Sequence, residues 1–438
     1  MNKATINGRS NYKTAFALIT ILFFMWGFIT VLVDALVPRL KAVFELSYSQ
    51  SIMVQFAFFG AFFCFAIPSS ILLEKIGYKR GIVAGLSLMG VACLLFYPAA
   101  SVREFWLFIT AFFTLATGIT ILQVAANPYV TLLGDEKTAS SRLNLSQAFN
   151  SFGTLLAPIA GALFLLSDSV MGSDEIAALS TGAQNDYYSS EALTVQEPFL
   201  VIAAILFVLA AIFGFISLPK LIQQAPSGGY TTLLSNSRFV LGVVAIFMYV
   251  GAEVSIGSFL VNYFEELKVL DPIKQSDFLS SLSSSLLFGK DINTLDAKAI
   301  LGAFVTLYWG GAMIGRFAGV YLMRFISSGK LLIIFGALAI TMIIVSISSA
   351  GTIAMFTILA VGLFNSIMFP TIFSLALDGL NNLKAQGSGL LVMGIVGGAV
   401  IPKLTGVVAD ATSLKTALGL LILCYIYIAH YGYTKKRV

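Results

Sequence analysis

The sequence predicts an all-α membrane protein of twelve transmembrane helices, arranged as two six-helix bundles related by a pseudo-two-fold axis. Three observations predict it. The 438 residues are 58% hydrophobic and only 11% charged, with a mean hydropathy of +0.92, where soluble domains run about 45–50% and about 25%. The apolar runs reach about 20 residues or more, enough to cross a hydrocarbon core of about 30 Å. Lys and Arg are dense in alternate inter-span segments, as they are in short loops on the cytoplasmic side of a bilayer.

In chain order the spans are read near 13–38, 50–73, 81–99, 105–133, 145–167 and 196–218, then 239–264, 300–325, 330–349, 351–377, 385–409 and 413–433. The first is not read as a signal peptide. Thr14–Val37 is long, contains Asp34 and lacks a small-residue cleavage site after a short apolar core, so it is read as a retained helix. The longest runs exceed 25 residues, which implies tilt or kinks. Ser167–Glu197 is acidic, polar and free of Lys and Arg, as an external loop is; Glu265–Ala299 is long, with an apolar stretch at Phe278–Phe288 that fits a short interfacial helix. Residues 219–238, rich in Gly, Ser, Gln and Asn, read as a cytoplasmic linker between bundles at 1–218 and 239–438. With both termini inside, the inner segments carry sixteen Lys and Arg and the outer segments eight.

The two halves carry traces of a repeat. Phe24-Met25-Trp26 resembles Phe247-Met248-Tyr249 at an offset of 223, and Ala126-Asn127-Pro128 aligns with Met368-Phe369-Pro370 at an offset of 242. At that second offset Gln123 falls on Asn365, and Pro158 matches Pro402 once two residues are inserted. The loop Glu74–Arg80 has a degenerate partner in Met323–Lys330, which contains Arg324. Parallel repeats of this kind are a hallmark of secondary transporters, with substrate near the membrane midplane at the repeat interface.

Composition also excludes classes of function. The net charge of +5 follows from topology and does not point to nucleic acid. Gly289-Lys290 and Gly329-Lys330 lack the preceding Gly of a phosphate-binding loop, which argues against a nucleotide-driven pump. His430 is the single histidine, so multi-His metal sites are excluded. No paired catalytic carboxylates stand at fixed spacing, and an enzyme is not expected. Cys64, Cys93 and Cys424 all fall within spans, where disulfides are not expected. No cofactor is called for. A channel, or a solute-sensing receptor with a carrier fold, is the rival reading from another class.

Ser70–Arg80, containing Glu74, Lys79 and Arg80, resembles the loop signature between the second and third helices of the major facilitator superfamily, with Ser70 and Glu74 in place of the usual Gly and Asp. A carboxylate at a helix end beside a basic cluster can pair across the inner face, so Glu74, Lys79, Arg80 and Arg324 are candidate gating residues. Ala126–Gly134, Arg142–Gly153, Tyr249–Ala252, Ile314–Phe317 and Phe369–Leu375 are similar to the fucose–galactose–proton symporter family. Glu253–Ser258 resembles its glucose/galactose transporter branch. The resemblance implies the major facilitator fold and uptake of a hexose by cation symport through alternating access. It implies a monomeric carrier in a bacterial inner membrane, with a monosaccharide and membrane lipid as its partners.

Ionisable groups at mid-membrane are costly and mark function. Asp34 lies one helical turn after Thr30, on the same face, and matches the family's acidic residue on the first helix. Its carboxylate can accept two sugar hydroxyls, carry a proton or ligate a cation. Glu253 lies in the seventh span. The fucose branch has a glutamate where this chain has Gln123, and a glutamine where this chain has Glu253. Since Gln123 takes up no proton, sodium is the first expectation. A site built from Glu253, Asp34, Gln123, Thr30 and Ser255 would hold it, since hard cations favour several oxygen ligands. Proton coupling through Glu253 is the alternative. For sugar recognition the candidates are Asp34, Gln123, Gln147, Asn150, Asn365 and Arg316, with Trp26 and Tyr249 as aromatic faces beside Phe149, Tyr263 and Trp309. Arg316 is always protonated and needs an acidic or sugar partner. Lys403 is read as snorkelling toward the outer face.

Overall fold

The computed structural model describes residues 3–43, 48–164, 176, 178–219, 221 and 229–435, without the side chains of 3–11, 34–43, 48–52, 55, 158–164, 185 and 191–195. Among these residues the secondary structure is helical, joined by short turns, with no strand. The long helices are α1 (Lys3–Val43), α2 (Tyr48–Val102), α3 (Phe105–Leu132), α4 (Ala139–Phe164) and α5 (Thr181–Phe215). A short α6 (Gly229–Ser235) precedes α7 (Ser237–Glu266). Two short helices, α8 (Leu270–Gln275) and α9 (Asp277–Leu286), then occupy the segment where an interfacial helix is expected. After them come α10 (Ala297–Leu322), α11 (Ser328–Ser348), α12 (Gly351–Asn365), α13 (Met368–Leu377), α14 (Lys384–Met393), α15 (Gly397–Ala411), α16 (Leu414–Leu420) and α17 (Ile422–Thr434).

Ten described helical stretches are long and apolar enough to span a membrane. One of them, Phe56–Val102, is 47 residues long and contains the second and third predicted crossings, divided at Gly77, whose φ of 83° and ψ of 163° are non-helical. The left-handed φ is where glycine has no Cβ penalty. Outside the ten, α4 covers most of the fifth crossing, and twelve crossings are accounted for.

Helix starts follow local chemistry. Asn236 caps α7 by accepting the Phe239 N–H at 3.3 Å, and Asp296 caps α10 by accepting the Ala299 N–H at 2.7 Å. Such a side-chain oxygen satisfies one of the orphan N–H groups of a first turn. The tenth crossing is not one helix. Pro370 has no N–H for the Ser366 carbonyl four residues earlier, and its ring crowds that carbonyl; α12 accordingly ends at Asn365 and α13 starts at Met368. The eleventh crossing breaks as well, at a 3₁₀ turn over Gly394–Val396.

By contacts the chain divides into two compact units. The first comprises Met1–Asp135, Phe152–Thr231 and Gly379–Met393, the second Glu136–Ser151, Thr232–Asp378 and Gly394–Val438. Within the first, α14 lies against α2, where a Cβ on Gly389 would meet Ser70 Cβ at 2.8 Å and the Ala66 carbonyl at 2.9 Å. Within the second, the start of α4 is tied by Asn144, which donates to Thr371 Oγ1 at 3.1 Å, and by the Ser140–Ser374 hydroxyl pair at 2.6 Å.

The repeat is visible in packing. In the first unit Gly153 of α4 closes on the Phe24 carbonyl of α1, and in the second Gly397 of α15 closes on the Phe247 carbonyl of α7, each too near for a Cβ. Phe24 and Phe247 are related by the offset of 223 read from sequence. Gly153 and Gly397 are related by 244, the Pro158–Pro402 spacing. All three cysteines are free, Cys64 exposed and the other two buried.

Candidate functional site

The second unit holds a polar cluster inside an apolar bundle. Glu253, on α7, is half-buried, and its Oε1 accepts the Tyr249 hydroxyl at 2.6 Å. The spacing of four residues places both on one face of the helix. From α10, the Tyr308 hydroxyl donates to the Glu253 backbone carbonyl at 3.3 Å. From α12, Asn365 Nδ2 donates to that same tyrosine oxygen at 2.7 Å. Tyr425 of α17 places its hydroxyl beside Asn365. Tyr249, Tyr308 and Tyr425 are at most 1% exposed, so each brings a polar hydroxyl into a dry interior, where it costs free energy unless paired.

Arg316 lies on α10 two turns beyond Tyr308 and acts on Glu253 through space. Its Nε donates to the Ser366 carbonyl at 3.0 Å, and its Nη1 donates to the Gln147 carbonyl at 3.2 Å and to the Ser151 hydroxyl. The Ser366 carbonyl is the one that Pro370 leaves without its helical donor. A buried carbonyl needs a partner, and the planar guanidinium supplies one at a fixed angle. The proline and the arginine therefore form one structural device.

Of the sequence candidates, the structure groups Glu253, Tyr249, Asn365, Arg316 and Gln147, the last through its backbone. Asn150 is half-buried nearby on the same helix as Gln147. Ser255 is not brought to Glu253. It points to the other side of α7, donating to the Gly251 carbonyl at 2.7 Å and accepting from Thr405 at 3.3 Å. In the first unit Trp26 is 7% exposed, Gln123 half-buried, and the Thr30 hydroxyl donates to the Trp26 carbonyl at 2.8 Å. The Asp34 side chain lies outside the described residues. Phe149 packs edge-on to Phe317, and Trp309 edge-on to Tyr308, while the Tyr263 hydroxyl is spent on Ser346.

Of the gating candidates, Glu74, Lys79 and Arg80 share the turn at 74–80 in the first unit, and Arg324 belongs to the second. Glu74 lies beside Gln386, with its Oε1 buried and without a hydrogen bond, and Lys79 and Arg80 follow the Gly77 break. Arg324 stands over the Tyr321 ring at 5.8 Å. Close to Glu74, the Tyr230 hydroxyl pairs with Ser70 Oγ at 2.6 Å. Burial raises that phenol above its ordinary range and Glu74 adds to the rise, against the Ser70 hydrogen bond. His430 and Lys403 are exposed on their helices.

Sequence reading missed Tyr308, Tyr425, Ser151 and Ser366. With 16 Tyr and 37 Phe in the chain, no single aromatic signals a role. The spacing of Pro370 to Ser366 was the available clue to the carbonyl that Arg316 takes.

Residues 14–402 match the profile described as Major Facilitator Superfamily. The chain belongs to the major facilitator superfamily. It is 45% identical over 435 residues to the "Glucose/galactose transporter" of Brucella abortus biovar 1 (strain 9-941), covering 97% of this chain and 95% of that protein. It is 31% identical over 432 residues to the "L-fucose-proton symporter" of Escherichia coli (strain K12), covering 95% and 92%. Among solved structures it is similar to the transporter FucP in the outward conformation, with a TM-score of 0.85 and 30% identity over 98% of this chain and 100% of that one. Within the superfamily these relatives place it in the fucose–galactose–proton symporter family, on the glucose/galactose branch. The chain is a multi-pass membrane transporter and not an enzyme.

Proposed function

We propose that this transporter imports a hexose of the glucose/galactose type by proton symport, with Glu253 as the proton-carrying carboxylate. The observation that carries the ion assignment is the company Glu253 keeps. Its Oε1 accepts a tyrosine hydroxyl, and around it stand tyrosine hydroxyls, the Asn365 amide and the Arg316 guanidinium, a set dominated by hydrogen-bond donors. Sodium would need several converging oxygens. Ser255, expected among them, is engaged elsewhere. The name of the E. coli relative, a proton symporter, favours the same ion, and sodium finds no support among the relatives.

The sugar reading rests on the names of those relatives, together with amides in an apolar setting, as sugar sites require. Asn365, Gln147 and Asn150 in the second unit and Gln123 in the first are the proposed hydrogen-bonding groups, with Trp26 and Tyr249 as ring faces. Asp34 is proposed as a sugar-binding carboxylate. We read residues 1–218 and 239–438 as the two moving bundles, with Glu74, Lys79, Arg80 and Arg324 at the gate. The charge distribution supports an orientation with both termini in the cytoplasm, and the bacterial sources of the relatives support an inner membrane.

The deciding measurement is uptake of labelled glucose and galactose into proteoliposomes, with the proton and sodium gradients imposed separately. A proton gradient alone should drive accumulation, and Glu253→Gln should abolish accumulation while retaining counterflow exchange. Accumulation driven by sodium and indifferent to a protonophore would overturn the assignment.

A further inference from the structure

The first unit contains a cleft of about 530 Å³ whose lining includes three of the proposed gate residues, Glu74, Lys79 and Arg80, and for which the transport reading names no ligand. It lies between the turn at 74–80 and residues 217–219 and 221, which follow α5. Its lining is of two kinds. Lys75, Lys79 and Arg80 bring three cations, opposed by the single carboxylate of Glu74, while Leu218 and Leu221 bring apolar surface. Gly77 breaks the helix here, so Tyr78–Arg80 begin a new helical segment whose N-terminal end carries positive partial charge. Phe215, at the end of α5 and two residues before the cleft lining begins, is 90% exposed, as a side chain facing lipid is.

From this we infer that the cleft is a seat for an anionic phospholipid, with the phosphate against Lys75, Lys79 and Arg80 and the glycerol and upper acyl chain against Leu218 and Leu221. The volume lies within the roughly 300–1,000 Å³ of small-molecule sites, so a headgroup fits. Basic residues where a membrane helix meets the interface attract anionic lipids, and pockets that combine the two bind their headgroups. A soluble phosphate would use the cations but would gain nothing from the leucines. The mixed lining therefore selects a lipid over a free anion. Exposed Lys75 and Arg80 can reach outward for a headgroup while half-buried Lys79 stays within the cleft.

The test is native mass spectrometry of the purified, delipidated full-length protein, titrated with dioleoyl phosphatidylglycerol, dioleoyl phosphatidylcholine or glycerol 3-phosphate. Phosphatidylglycerol should bind as a single tight adduct, at least tenfold more tightly than either of the others. Lys75→Gln, a change at an exposed side chain, should weaken that adduct about fivefold, the loss expected for one interfacial cation. Lys75→Gln/Lys79→Gln/Arg80→Gln should weaken it by more than tenfold. Phosphatidylglycerol should also raise the melting temperature of the wild type in detergent, and not that of the triple variant. Equal binding of the two lipids, undiminished binding by a monodisperse triple variant, or glycerol 3-phosphate binding as tightly as the lipid would each overturn the assignment. Uptake assays are not involved, so the result is independent of the sugar and ion readings above.

Discussion

The fourth and tenth crossings carry the same proline and resolve its consequence differently. Pro128 and Pro370 stand at equivalent repeat positions, and each deprives the carbonyl four residues earlier of its helical donor. Those carbonyls, Val124 and Ser366, are themselves related by the offset of 242. In the first unit the buried Ser388 hydroxyl donates to Val124 at 2.9 Å, and α3 runs unbroken through Leu132. In the second unit Arg316 takes Ser366 at 3.0 Å, and the crossing breaks into α12 and α13. A neutral hydroxyl satisfies the carbonyl and leaves the helix intact. A guanidinium satisfies it too, and also brings a fixed positive charge within electrostatic reach of Glu253. The asymmetry of the two halves thus lies in the donors that answer a shared defect as well as in their carboxylates.

The largest effect should come from breaking the charged side of the comparison. Arg316→Gln removes the donors to Ser366, Gln147 and Ser151 and the charge facing Glu253. Sugar uptake in proteoliposomes should fall at least 100-fold with protein still in the membrane; uptake within about threefold of wild type would reduce Arg316 to a packing residue. Next in size is the hydroxyl that joins Asn365 to Glu253. Tyr308→Phe leaves the Asn365 amide without its partner, a cost of about 1–3 kcal/mol for a buried polar group, and uptake should drop about tenfold with a shifted pH profile. An unchanged pH profile would separate Tyr308 from the proton path. The smallest functional effect should come from the neutral side. Ser388→Ala leaves the Val124 carbonyl unpaired, so the melting temperature in detergent should fall by the equivalent of about 1–2 kcal/mol, with uptake reduced less than tenfold. A loss of uptake as large as that of Arg316→Gln would erase the distinction between the two crossings.

A second pair sharpens the same contrast by where it predicts no difference. Gly153 and Gly397 meet backbone carbonyls at equivalent points of the repeat, and no cation is involved at either. Overpacking of this kind costs about 1–3 kcal/mol or more. Gly153→Val and Gly397→Val should therefore lower folded yield by similar amounts, whereas the Ser388 and Arg316 variants should not match one another.

Much of this protein was written along the chain. Hydropathy over about 20 residues reports the solvent of each segment, so the crossings and the lysine- and arginine-rich loops were legible. The repeat offsets were legible as well, because a proline or a glycine that permits close approach cannot move without a change of backbone. Glu253 and Arg316 stood out, since an ionisable side chain within an apolar run is rare for energetic reasons. What tertiary structure alone decided was which groups meet. Ser388 reaches Val124 across 264 residues and Arg316 reaches Ser366 across 50, and no local periodicity encodes either pairing. Tyr308 and Tyr425 became site residues only through neighbours on other helices, because a hydroxyl among many aromatics gains meaning from its partner. The break at Ser366 lay between these cases. Pro370 made the freed carbonyl available to a reader of the sequence, while the donor that answers it, Arg316 here and Ser388 at the equivalent position, was decided by folding.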